Sequence, residues 1–410
     1  MLYHAYELQR AWLNSASSIA SIGAEMLTNP FNPWGYTGFS PMVASALEVF
    51  AHASAQYGKP EFDIGTVEVE GRMVPVRETL VLHRAFGDLK RFRREDLPEN
   101  APRLLIVAPM SGHYATLLRG TVQRMVESAD VYITDWHDAR NVPLSEGSFD
   151  LDDYIDYLIE FLRHIHAEHG VRPHMLAVCQ PSVPAFAATA LMNGSDDPAR
   201  PATLTMMGGP IDTRESPTTV NDHAMNRPIE WFRQNVIATV PMQYAGAGRR
   251  VYPGFMQLAG FMSMNLGSHI LSHFEMFKHL TQGDEESAQA SKDFYEEYRS
   301  VCDMTAEFYL QTVEEVFQTH AIPNGSFRHR GELVDLTAIT DSALLAIEGE
   351  RDDISGIGQT KAALKLASGL DEGKKRYMLA EGAGHYGIFN GSKWRTRIAP
   401  EVEKFIAEFS

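Results

Sequence analysis

Five short apolar runs, each followed by a turn and most by a helical stretch, constrain this chain more than any other feature. Leu104–Ala108, Val131–Thr134, His174–Val178 and Thr203–Met207 are spaced along one hundred residues, and Ala343–Ile347 repeats the pattern late in the chain. Leu104–Ala108 is apolar at every position, rather than at alternate ones, which suits a strand covered on both faces. Between the runs lie helical stretches near 116–127, from Leu151 to His166 with Gly170 as its C-cap, and from Ser182 to Met192. Such alternation predicts a mostly parallel sheet with helices on both sides. Val67–Val69 and Val74–Leu82 read as a hairpin before it. A helix near 360–367, a strand at Arg376–Leu379 and a last helix from Ala399 to Phe409 read as its close.

The pattern breaks twice. Residues 1–60 are helical in texture, with Pro and Gly breaks around Asn29–Gly35. Leu8, Trp12, Ile19, Ile22 and Met26 recur at helical spacing, so their stripe is expected to dock on the core or to touch another apolar body. Residues 225–335 lose the strand–helix rhythm, read as mainly helical, and are rich in Met and aromatics, among them Trp231, Tyr252, Phe255 and Phe274. The expected organisation is an N-terminal helical segment (1–60), an α/β core (61–224 and 336–410) and a cap inserted at 225–335.

Charge and cysteine content exclude several classes of function. With 36 Lys and Arg against 53 Asp and Glu, the net charge of −17 offers no footprint for nucleic acid or an anionic membrane. No apolar run approaches the ~18 residues of a spanning helix. The two cysteines, Cys179 and Cys302, cannot build a disulfide framework or a multi-thiolate metal site. The first ten residues lack a secretory pattern, so a reducing, cytoplasmic setting is expected.

Cys179 ends the run Ala177-Val178 and is followed by Gln180-Pro181 and an apolar helix. Strand, sharp turn and helix are the setting of a nucleophile elbow, and a helix N-terminus favours a thiolate there. The G-x-S-x-G pattern itself does not occur, since Ala177 and Pro181 stand at its glycine positions. Chain order supports the elbow: nucleophile, then acid, then histidine, each of the last two after a late strand. Ala343–Ile347 leads to Glu348-Gly349-Glu350-Arg351-Asp352-Asp353, and Arg376–Leu379 leads to Glu381-Gly382-Ala383-Gly384-His385. Asp352 is preferred over its neighbour Asp353 because it lies closer to the strand end. The oxyanion donors expected are the N–H of Gln180 and one from Met110 or Ser111, in the loop after Leu104–Ala108. Substrate contacts are expected from His113, Trp231, Tyr252 and Phe255. The Gly382–Gly387 match to G-x-G-x-x-G has no room for a dinucleotide unit after it, and His164, His166 and His169 do not have metal-ligand spacing.

With these residues in this order, the chain resembles the intracellular poly(3-hydroxybutyrate) (polyhydroxyalkanoate) depolymerases. The resemblance rests on Val178–Pro184, Val107–Tyr114, Tyr132–Trp136 and Glu348–Asp353. It implies an α/β-hydrolase fold with a large, mainly helical cap insertion. It implies a Cys179–His385–Asp352 ester hydrolase that needs no metal or organic cofactor. It also implies association with cytoplasmic polymer granules, where the partners would be the polyester or its oligomers and granule-coat proteins. Two other readings share these residues: an acyltransferase such as a polyester synthase, and a non-catalytic granule-associated protein. The sequence sets no oligomeric state.

Overall fold

The computed structural model describes residues 2–28, 40–54, 58–264 and 296–410. Among them, one sheet of nine strands organises the molecule, in the order β1-β2-β3-β5-β4-β6-β7-β13-β14. Its strands are β1 (Thr66–Val69), β2 (Arg72–Arg84), β3 (Gly87–Arg94), β4 (Arg103–Val107), β5 (Asp130–Trp136), β6 (His174–Val178), β7 (Thr203–Met207), β13 (Ala343–Gly349) and β14 (Lys375–Ala380). The first three and β5 pair antiparallel. From β5 through β4, β6, β7 and β13 to β14 every pairing is parallel. Every residue of β4, β6 and β7 is buried, including the polar His174, Thr203 and Thr205.

Helices α3 (Arg119–Met125), α4 (Leu151–His169) and α5 (Ser182–Gly194) cross between the parallel strands. Helix α4 starts at a reciprocal capping box, Asp150 with Asp153, and stops at Gly170, whose φ of +70° is the left-handed C-cap. Helix α5 is buried almost throughout, and Ala185, Ala187, Ala188 and Ala190 let it lie close against the sheet. The result is the mostly parallel, helix-covered sheet that the rhythm of the sequence predicts, in the α/β-hydrolase architecture that the resemblance implies.

Strand β3 was hidden from pattern reading by its charge. Its Asp-Leu-Lys-Arg-Phe-Arg-Arg sequence alternates buried Leu89 and Phe92 with cations. Those cations meet buried acids on β5: Arg91 and Arg93 pair with Asp130, and Lys90 with Asp135, which Lys59 also reaches at 2.6 Å. A paired charge can lie on a covered face where an unpaired one could not.

The segment between β7 and β13 is helical only in part. It contains helices at Thr219–Met225, Ile229–Asn235, Gly254–Met264 and Ala306–Thr312. It also holds a small antiparallel sheet of β8 (Ala238–Thr239), β9 (Arg250–Tyr252) and β10 (Met304–Thr305), and the hairpin β11 (Arg328–His329) and β12 (Glu332–Leu333). Residues 265–295, including Phe274, and the Asn29–Gly35 breaks lie outside the described residues.

At the N-terminus, α1 (Leu2–Thr28) and α2 (Ser40–Ser54) pack on each other. Tyr3 and Tyr6 pin α1 to the body: Tyr3 donates to Asp303 at 2.5 Å and Tyr6 stacks on Phe255 at 3.7 Å. The stripe of Leu8, Trp12, Ile19, Ile22 and Met26 does not dock on the core. It faces outward, with Trp12 70% exposed. Met42, Val43 and Phe50 of α2 are exposed as well. No helix among the described residues is long and apolar enough to cross a membrane.

Candidate active site

Cys179 stands one residue beyond β6, at the C-terminal edge of the sheet, and its φ of +67° is left-handed. A side chain other than glycine holds this conformation only where its surroundings enforce it. Here the Cys179 N–H donates to Met207 O at 2.7 Å, and the Cys179 carbonyl accepts from Ser182 N at 3.0 Å at the start of α5. The turn has no room for larger residues beneath it. A β-carbon on Gly209 would lie 2.1 Å from Ser182 Oγ. Ser182 itself is fully buried under that turn, so its hydroxyl faces the neighbouring strand end rather than the cleft.

The loop after β13 delivers Asp352. Its Oδ1 accepts from Ile354 N at 2.9 Å and Ser355 N at 2.8 Å, and its Oδ2 accepts from His385 Nδ1 at 2.8 Å. The Asp352 side chain is wholly shielded and that of His385 nearly so. Because a carboxylate only accepts, this contact leaves the proton on Nδ1 and turns Nε2 free for another partner. Cys179 is near enough to act on the charge of that ring. Burial alone would lower the imidazole pKa; the Cys179 sulfur and the Asp352 carboxylate outweigh it and hold His385 well above its ordinary value. Asp353, one residue on, is exposed.

Gly208 lies beneath the pair, and sequence reasoning missed it. Its φ is +59°, and a β-carbon there would sit 2.8 Å from Ile388 Cδ1 and 3.2 Å from both Asp352 Oδ2 and His385 Cε1. Only its position directly after an apolar strand hinted at it. Glu348 was also missed. It is a buried carboxylate that accepts from the N–H groups of Gly358, Thr360 and Lys361 and from Tyr377 O–H, which shapes the loop carrying Asp352.

The Met110 N–H points at the side chain of Gln180, donating to its Oε1 at 3.3 Å, and Ser111 follows in the same loop. This loop is held from behind. Ala108 O accepts from Trp136 Nε1 at 2.8 Å and from Tyr154 O–H at 3.0 Å, and Thr134 Oγ1 accepts from Ala108 N at 2.9 Å. Its far side is bolted to the inserted segment. Cys302 N donates to Gly112 O at 2.8 Å, and His113 bridges to Val301.

The four expected substrate contacts each have packing partners. His113 is buried and bonds Tyr298 O through Nε2 at 3.0 Å; burial lowers its pKa to about 4, so it is a neutral brace. Tyr252 stacks on Tyr309 at 3.9 Å, Phe255 on Tyr6, and Trp231 lies against Phe232 and Arg227. These three rings are committed to packing within the inserted segment and against α1. Nearby, Asp138, Arg140 and Asp303 form a buried charge cluster with Tyr3 and Tyr114. Burial, then the charge of Asp138, raises Asp303 to about 7.

Residues 208–410 match the family described as PHB de-polymerase C-terminus. Across this span the chain is similar to the C-terminal part of PHB depolymerases. The matched region begins at Gly208 and includes Asp352 and His385, while Cys179 precedes it. No curated protein matches the chain. Among solved structures, the chain is similar to the α/β hydrolase GrgF from Penicillium sp. sh18, at 13% identity and a TM-score of 0.47, covering 82% of this chain and 99% of that one. It is similar to the monoacylglycerol lipase of Paleococcus ferrophilus, at 12% identity and a TM-score of 0.43, covering 82% and 99%. A third is the 2-hydroxy-6-oxo-6-phenylhexa-2,4-dienoate hydrolase of Rhodococcus sp. strain RHA1, at 11% identity and a TM-score of 0.43, with the same coverage. The match over residues 208–410 supports a hydrolase.

Proposed function

We propose that this protein cleaves the ester bonds of polyhydroxyalkanoate with Cys179 as nucleophile, His385 as base and Asp352 as its orienting acid. The observation that carries the reading is the 2.8 Å contact of His385 with Asp352, beside Cys179 on a left-handed elbow at the sheet edge. His385 Nε2 takes the thiol proton, and the sulfur attacks the ester carbonyl. The oxyanion meets the N–H of Gln180 and that of Met110, which requires the Gln180 side-chain carbonyl to leave Met110. His385 then hands the proton to the departing alcohol. Water, activated by the same imidazole, attacks the thioester carbon and releases a hydroxy acid or short oligomer and the free thiol.

The polymer is an apolar, uncharged phase, and the outward stripe of α1 supports contact with it, since an exposed apolar patch of this length marks an interaction surface. In this reading the enzyme works at the surface of cytoplasmic granules, and the inserted segment at 225–335 acts as a cap. The test is a turbidity assay on amorphous polyester granules. Clearing by the wild type, lost in Cys179→Ala with an unchanged circular-dichroism spectrum, is the expected result. Clearing by Cys179→Ala at the wild-type rate would remove the thiol from the mechanism.

A further inference from the structure

Away from the catalytic cleft, His83, Asp88 and His137 bring one ligand atom each to within 4.8 Å of one another. His83 and Asp88 face each other in the register of the β2–β3 hairpin, and His83 Nδ1 lies 2.7 Å from Asp88 Oδ1. His137, just beyond β5, completes the group, with Nε2 3.1 Å from Asp88 Oδ2. We propose that these three side chains form a binding site for a divalent cation of the zinc class, separate from the hydrolytic centre.

The case rests on how His137 is held. Its backbone N–H donates to Phe86 O at 2.9 Å, and its ring Nδ1 lies 3.0 Å from Ala85 O. Both contacts are with the turn of the same hairpin. A carbonyl oxygen can only accept, so the Nδ1 proton is committed to it, and in the neutral ring Nε2 carries a lone pair. That lone pair faces a carboxylate oxygen across 3.1 Å. Two acceptors at this distance repel unless a positive centre lies between them. Either a proton or a metal ion supplies it. A backbone carbonyl on the far nitrogen is the usual partner that orients a metal-bound imidazole.

Two imidazoles and a carboxylate are a ligand set that zinc takes readily. Bonds of about 2.0–2.1 Å in a tetrahedron give ligand-to-ligand edges of about 3.3 Å. The observed 2.7 and 3.1 Å, one to each oxygen of Asp88, lie about 0.6 and 0.2 Å inside that edge, and the three ligand atoms all fall within 4.8 Å of one another. His83 can open to that edge, because its side chain is 68% exposed. The open side leaves the fourth position to water. Lys59, which pairs with Asp135, is the cation that opposes binding from the neighbouring segment. A bound ion would tie the β2–β3 hairpin to the end of β5, next to the Asp138 cluster. Spacing in the sequence conceals the group, since the strand pairing of β3 with β5 alone brings residue 137 to residues 83 and 88.

The experiment is titration of the metal-free full chain with zinc chloride, by calorimetry, and with cobalt chloride, by visible spectroscopy. It is done in the Cys179→Ala background so that the thiol and His385 cannot bind the ion. The expected result is one saturable equivalent with a tetrahedral cobalt band. His83→Ala, His137→Gln and the isosteric Asp88→Asn should each weaken it by about a hundredfold or more, since loss of even an outer partner costs 10- to 100-fold. No saturable equivalent in the parent, or an affinity in His83→Ala and His137→Gln unchanged from the parent's, would overturn the proposal. The bridge would then be an imidazolium–carboxylate pair.

Discussion

Replacing Asp352 by Asn tests the proposed catalytic line most sharply, because the structure dictates which way the amide turns. Oδ1 of Asp352 accepts two backbone N–H groups, from Ile354 and Ser355, while Oδ2 faces His385 Nδ1 at 2.8 Å. The Asn oxygen keeps the two donors. The opposite orientation would lose two hydrogen bonds, at about 1 kcal/mol each, and push an NH2 against two N–H groups. The amide nitrogen therefore points at His385 and donates, which forces the imidazole proton onto Nε2. In that tautomer Nε2 cannot accept the proton of Cys179. Water cannot restore the pairing, because both side chains are shielded. The expected loss in kcat is about 10³- to 10⁴-fold, or about 4–5.5 kcal/mol of barrier. KM should change little and the fold should persist. The assay is initial-rate hydrolysis of a soluble hydroxybutyrate oligomer, with Asp353→Asn in parallel and losing less than about tenfold. A loss below about tenfold in Asp352→Asn, or an equal loss in Asp353→Asn, would refute the reasoning.

Gly208→Ala should cost about 1–2 kcal/mol for its left-handed backbone and lower kcat by about 10- to 100-fold through displacement of the Asp352–His385 pair; wild-type kcat would show that the site has slack there. A thiol alkylating agent should label Cys179 in step with inactivation and leave Cys302 intact, because burial and then the charges of Asp138 and Asp303 push the Cys302 thiol well up; peptide mapping by mass spectrometry decides, and activity that tracks Cys302 would count against the mechanism. Folding stability should fall as pH drops from about 6.5 toward 4, since burial lowers His113 and His174 to about 4 in the folded state, whereas the unfolded chain takes up those protons near 6.5. Asp303, raised to about 7, works in the opposite direction over the same range. Urea unfolding at several pH values should therefore show a shallower acid limb in His174→Asn, and an unchanged limb would contradict this assignment.

What the sequence by itself determined is the frame. Short, mostly apolar runs alternating with helical stretches suit strands covered on both faces, so the parallel strands, their order along the chain and the crossing helices follow from patterning. The positions of Cys179, Asp352 and His385, each just beyond a strand, were legible for the same reason: strand ends are local features. Tertiary structure alone decided what depends on partners distant in sequence. Strand β3 exists because Asp130 and Asp135 neutralise its cations. The stripe of α1 faces outward because Tyr3 and Tyr6, not that stripe, meet the body. The partners of His113, Tyr252 and Phe255 are a backbone carbonyl and aromatic rings from other segments. Local spacing carries no trace of such pairings. A hydrogen bond or ring stack between residues far apart in sequence is set by how the sheet and its insertion come together, and so it appears only once the chain has folded.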